Sequence, residues 1–150
     1  MSGLEVAQFV NLFLVALLVG NETGTWAVVH PALNRVRLDA NVPAEQEVYR
    51  RYGYFMPPLM ILTIVSGVVV VSLASGAAFA AALAGLACVV AMQVVTFVGN
   101  LPLNKRILAA SPDVPADEWW GWRRNWDRWH TLRTALNLSA LASFILAALI

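Results

Sequence analysis

The stretch "WDRWHTLRTALNLSALASFILAALI", residues 126–150, decides the fold. Residues 138–150 carry no charge at all, as a segment bound for a membrane should. Yet Trp126, His130, Arg133 and Asn137 recur at spacings of four, three and four, which is one face of a helix. A helix heading into lipid therefore opens on a polar face, and the rest of the chain has to supply the reason.

Of the 150 residues, 59% are hydrophobic and 13% charged, and mean hydropathy is +0.67. A soluble chain has an apolar share near ~45–50%. Four runs reach the roughly 20 residues that a helix needs to cross the hydrocarbon core, at about 4–30, 54–73, 76–99 and 130–150. They leave almost nothing for a soluble domain. Backbone groups in lipid must pair within their own segment, so the expected fold is all-α: an integral membrane four-helix bundle in a single four-span domain, 1–150. The first run has no Lys or Arg before it and is too long for the apolar part of a signal peptide, so it reads as a span. Cys88 is the single cysteine and lies mid-span, so it says nothing about disulfides or a redox motif. Nothing in the chain suggests nucleic-acid binding.

All ten basic residues fall in two places. Arg35, Arg37, Arg50 and Arg51 lie between spans one and two. Lys105, Arg106, Arg123, Arg124, Arg128 and Arg133 lie between spans three and four, or just inside the fourth. The positive-inside rule makes that side cytoplasmic and places both termini on the other. The expected location is a bacterial inner (plasma) membrane.

Prolines punctuate the chain. Pro31 takes it out of span one. A short helix is expected near Pro43, with Glu45 and Glu47 in its first turn as the helix dipole favours. Pro57 and Pro58 predict a kink or a fresh helix start in span two. A tight hairpin is expected at Ser75-Gly76. Pro102 disfavours helix at Leu101, and the last helix is expected to start near Pro115 with Asp117 and Glu118 in its first turn. No internal repeat is visible.

Polar residues interrupt the spans. Glu22 lies deep in span one, where a carboxyl is functional, protonated or paired. Asn11 lies within about 20° of the same face at 100° per residue, and His30 closes the span. Gln93, Thr96 and Asn100 share a face of span three. With Tyr52, Tyr54 and Asn104, the residues His30, Asn100, Trp126, His130 and Arg133 belong to one end of the bundle and describe a pocket there. Each also has a plain reading. Arg133 is able to snorkel. Trp119, Trp120 and Trp122 suit an interfacial belt, and Tyr49, Tyr52 and Tyr54 suit interface anchors. Gln93 and Thr96 suit interhelical contacts.

"YGYFMPP" (52–58), "NLPLNKRI" (100–107) and "WDRWHTLR" (126–133) resemble, in order and spacing, the membrane family of anthrone oxygenases from aromatic polyketide biosynthesis. The corresponding positions are Pro31, Gly53 with Met56 and Pro57, Asn104, and then Trp126, His130 and Arg133, the last group being the most specific. The resemblance implies a membrane oxygenase acting on a planar phenolic, anthrone- or quinone-like molecule with O₂, with no required cofactor. His130 would then be the base, with an ordinary pKa near ~6.5. Arg133 and Asn104 or Asn100 would stabilise the enolate, and Trp126 would stack on the ring. Glu22, His30, Asn137 and Tyr54 complete the expected substrate contacts. Two alternatives stay open. One is a haem or transition-metal protein using His30 and His130, with Glu22 as a further metal ligand. The other is a non-catalytic binding or assembly protein, with a homo-oligomer open in either case.

Overall fold

The computed structural model describes residues 2–150. Among them it has no strand and four long helices: α1 (Gly3–Leu33), α2 (Leu38–Leu73), α3 (Gly76–Ala109) and α4 (Ala116–Leu149). Each is long and apolar enough to cross a membrane. Phe9 and Phe13 on α1, Ile61 and Val65 on α2, Phe97 on α3 and Leu146 on α4 remain exposed. Apolar surface on this scale suits lipid rather than water, as in an integral membrane protein.

Local chemistry sets the helix ends. α1 starts on a capping box in which the Glu5 amide donates to the Ser2 hydroxyl at 3.2 Å and the Ser2 amide donates to the Glu5 carboxylate at 2.8 Å. Only Ala74 and Ser75 separate α2 from α3, and Gly76 takes φ +57°, a left-handed conformation that glycine adopts without a Cβ penalty. The hairpin falls where the sequence places it. α4 begins after Pro115 with Asp117 and Glu118 in its first turn, again as expected.

The internal prolines do not mark helix boundaries. No helix starts at Pro43, and none restarts at Pro57 or Pro58; all three lie inside the single helix α2. Buried Val42, Glu45, Tyr49, Met56, Leu59 and Met60 pack α2 on both sides of those prolines. That packing outweighs the ~3 kcal/mol each proline costs a helix interior. Nor does helix stop at Pro31 or at Leu101. Before Pro31 and Pro102 the helix widens into one π turn, Thr25–Val29 and Thr96–Asn100, whose closing N–H groups reach five residues back to the Thr25 and Thr96 carbonyls. The wider turn accommodates the missing proline N–H and the ring's bulk. Thr25 and Thr96 each donate a hydroxyl hydrogen bond to the carbonyl four residues earlier, both at 2.8 Å. The pattern of a threonine six residues before a proline thus makes the same local structure twice.

The helices form a square: α1 packs on α2 and α4, and α3 packs on the same two. One apolar layer is built from Val15, Leu18, Met60, Val89, Met92, Ala140 and Phe144. A second, toward the α1–α2 and α3–α4 loops, contains Val42, Tyr49, Leu103, Ile107, Trp119 and Trp126. Along α1 and α4, buried Glu22, His130, Arg133, Thr134 and Asn137 come after or between the residues of these layers. Gly99 lets α3 approach α4 there, since a Cβ would stand 2.3 Å from the Trp129 ring.

Candidate functional site

Two buried ionic clusters share the loop end of the bundle. In the first, Glu22 of α1, 2% exposed, accepts a hydrogen bond from Arg133 Nη2 at Oε1. His130 Nδ1 lies 3.3 Å from Glu22 Oε2. His130 and Arg133 are three residues apart on α4, so one helical face presents both to the same carboxylate. Among the described residues neither ring nitrogen of His130 makes a hydrogen bond, so its approach to Glu22 is ionic contact distance only.

The second cluster crosses the bundle. Glu45 Oε1 of α2 lies 3.2 Å from Arg123 Nε and 3.2 Å from His30 Nδ1. Arg123 Nη2 is 2.8 Å from His30 Nδ1 and 3.0 Å from Asp127 Oδ1. Arg123 Nη1 donates to the Tyr49 hydroxyl. Two arginines and two carboxylates are therefore paired away from water, and Arg123 also reaches the partly exposed carboxylate of Asp127. Such pairs contribute little net stability because desolvation offsets their attraction, and ionisable groups at membrane depth mark functional sites by default.

Trp126 joins the clusters. Its ring lies 4.4 Å from that of His30 and stacks on that of His130 at 4.5 Å and 27°. The Arg123 guanidinium sits 4.9 Å from its centroid, within cation–π range. The indole N–H donates to Asn104 Oδ1 at 2.7 Å, and Asn100 Nδ2 donates to the Trp126 carbonyl at 3.3 Å.

Beside this assembly lies a cavity of about 220 Å³. Glu22, Tyr49, Trp126, His130 and Arg133 form its polar and aromatic wall; Met56, Pro57, Met60, Leu101 and Leu108 form the apolar one. Asn104 and Thr96 also border it, and Tyr52 does so with its hydroxyl 2.7 Å from that of Thr25. An aromatic, mostly apolar chamber with a few convergent polar groups has the make-up of a small-molecule pocket.

Several expected residues stand elsewhere. His30 and Asn100 are buried and contact Trp126 but do not line the cavity. Asn137 is buried outside the lining, with neither amide atom hydrogen-bonded. Tyr54 is 84% exposed: two residues from Tyr52 on a helix is a half-turn, so one faces in and the other out. The rings of His30 and His130 lie edge to face with centroids 6.0 Å apart, but their nearest charged partners differ. Glu22 faces His130 and Arg133, while His30 faces Glu45 and Arg123. Among the described residues no three His, Cys, Asp or Glu side chains are grouped to hold a metal ion.

Four readings are corrected. Arg133 does not snorkel, because Glu22 holds it inside. Trp119 is fully buried rather than part of a belt, with its N–H donating to Asn41 Oδ1 at 2.8 Å. Tyr49 is a buried partner of Arg123 rather than an interface anchor, and Glu45 serves this cluster rather than a helix first turn.

The missed residues carried a signal. With α2 continuous, Asn41, Glu45, Tyr49, Tyr52 and Met56 fall on one face at spacings of four, four, three and four. The polar face of α4 likewise starts earlier than Trp126, at Trp119 and Arg123. A helix start at Pro43 leaves only Asn41 off the first of these faces.

No curated protein and no solved structure matches the chain. The family model described as anthrone oxygenase matches residues 45–143, more than half of the chain. The matched stretch contains Glu45, Asn104, Arg123, Trp126, His130 and Arg133, whereas Glu22 and His30 precede it. The motifs at 52–58, 100–107 and 126–133 and the residues gathered around the cavity thus lie in a chain that belongs to the anthrone oxygenase family.

Proposed function

We propose that this protein is a membrane-embedded oxygenase that oxidises a planar phenolic, anthrone-like small molecule within the cavity beside Trp126 and His130. The end carrying the basic loops, and with it the cavity, is assigned to the cytoplasmic side by the positive-inside rule. One observation carries the reading. His130, with Nε2 unpartnered, borders an aromatic apolar cavity and is backed by Glu22 at 3.3 Å, and Glu22 is itself bound to Arg133. That is a base with a positioned carboxylate behind it.

The chemistry follows from the substrate class. An anthrone carries an acidic CH₂ between two aromatic rings, opposite a carbonyl. His130 takes one proton from that carbon, and the electron pair delocalises onto the carbonyl oxygen as an enolate. Asn104 has its Oδ1 engaged by Trp126, which leaves its Nδ2 to donate to that oxygen. Arg133 adds positive charge nearby, and Trp126 supplies a ring face for stacking. The enolate passes one electron to O₂, and the two radicals combine at the same carbon. The peroxide accepts a proton from His130, and loss of water leaves a second carbonyl. In sum, one CH₂ and one O₂ become one C=O and one H₂O.

The test is oxygen consumption and quinone formation from an anthrone by detergent-purified protein. The wild type is expected to turn over, and His130→Gln to lose about 10²–10⁴-fold, the usual worth of a positioned base. Wild-type protein without activity on any anthrone, or full activity in the variant, sinks the proposal.

A further inference from the structure

The cavity is closed on one side and open on another. Its buried lining, Glu22, Thr25, Tyr49, Met60, Trp126 and His130 among it, comes from α1, α2 and α4. Its exposed lining is Gly53 and Pro57 on α2, with Leu101, Lys105 and Leu108 on α3. The opening therefore lies between α2 and α3, on the flank of the bundle. The space beside Gly53 is open, since a Cβ built there meets no atom within 4 Å.

Charge at this opening is one-sided. Three charged residues line the cavity: Glu22, Arg133 and Lys105. Glu22 and Arg133 neutralise each other in the interior. Lys105 stands at the exposed rim, and among the described residues no ion pair or hydrogen bond engages its ammonium. Leu101 and Leu108, one turn to either side of it, continue the apolar wall.

We propose that the cavity admits its substrate sideways, between α2 and α3, and that the substrate is an amphiphilic aromatic acid whose carboxylate pairs with Lys105 while its ring system lies inward against Trp126. An apolar slot with a cation at its mouth matches a ligand that is apolar at one end and anionic at the other. It also fixes orientation: with the carboxylate held at the rim, the far edge of the ring faces His130. An ion pair at the rim is partly screened by solvent, so it selects among ring compounds rather than supplying most of the affinity. This inference rests on the cavity being a ring-binding site.

Binding of two probes already at the oxidation level of the product, and so not turned over, tests it in a non-ionic detergent, with tryptophan quenching as the readout: anthraquinone and an anthraquinone monocarboxylate. The wild type is expected to bind the carboxylate about five- to tenfold more tightly than the neutral ring, a preference that shrinks as salt is raised. Lys105→Met removes that preference, Lys105→Arg keeps it and Lys105→Glu reverses it. Gly53→Trp, which fills the opening, slows association of both probes. Wild-type protein that binds both probes equally overturns the role of Lys105 and leaves the ring site standing. Wild-type protein that binds neither overturns the ring site itself.

Discussion

Glu22 of α1 and Arg133 of α4, 111 residues apart in sequence, meet as a buried hydrogen-bonded ion pair in the wall of the cavity. The contact ties the first helix to the last, and its carboxylate also backs His130. The pair is thus both a packing element and part of the candidate chemistry.

Removing one member should cost more than removing both. Glu22→Ala leaves a buried guanidinium without its counter-charge, a loss of about 3–5 kcal/mol. Glu22→Leu with Arg133→Met is expected to recover much of that loss. Thermal unfolding in detergent, followed by circular dichroism, ranks the three proteins. A double variant no better than the single one would mean that the pair is not a mutually dependent unit.

Tyr49 should behave as part of the Arg123 cluster rather than as a membrane anchor. Tyr49→Phe keeps the ring and deletes the oxygen to which Arg123 donates. The expected cost is about 1–3 kcal/mol, and a double-mutant cycle with Arg123→Met should return a coupling of at least ~0.5 kcal/mol. Additive losses would remove the contact from the account.

Gly99 is expected to tolerate no side chain. A Cβ there meets the Trp129 indole at 2.3–2.8 Å, and an indole is a rigid neighbour. Gly99→Ala should destabilise by about 1–3 kcal/mol through overpacking. Gly53→Ala, with open space around it, should be near neutral. Melting temperatures of the two variants side by side make the comparison, and equal values would contradict the close approach of α3 and α4.

The proposed reaction asks for no resident metal or haem, and that expectation has its own measurement. Purified protein should show no Soret band and no stoichiometric metal, in the wild type, in His30→Ala and in His130→Ala alike. A band or metal present in the wild type and lost in either variant would make the histidines ligands and replace the base mechanism.

Part of this molecule was decided by sequence. Apolar run length settles four helices, because a backbone in lipid has to satisfy its own hydrogen bonds. Helical periodicity puts Trp126, His130, Arg133 and Asn137 on one face, and short connections gather the polar residues at one end. The hairpin at Gly76 and the start of α4 follow from local chemistry, which acts within a few residues.

Tertiary structure decided the rest, because it depends on how each helix is rotated against its neighbours, and hydropathy carries no such information. Pairing Glu22 with Arg133, and Glu45 with Arg123 and His30, needs facing positions on helices distant in sequence. The prolines misled for a related reason: the local penalty of Pro43, Pro57 and Pro58 is real, but packing along α2 exceeds it, and π turns absorb the penalty before Pro31 and Pro102. Trp119, which composition assigns to a membrane belt, turns inward because Asn41 of α2 waits there as an acceptor. A buried donor goes where its partner is, and that partner is fixed only once the helices have packed.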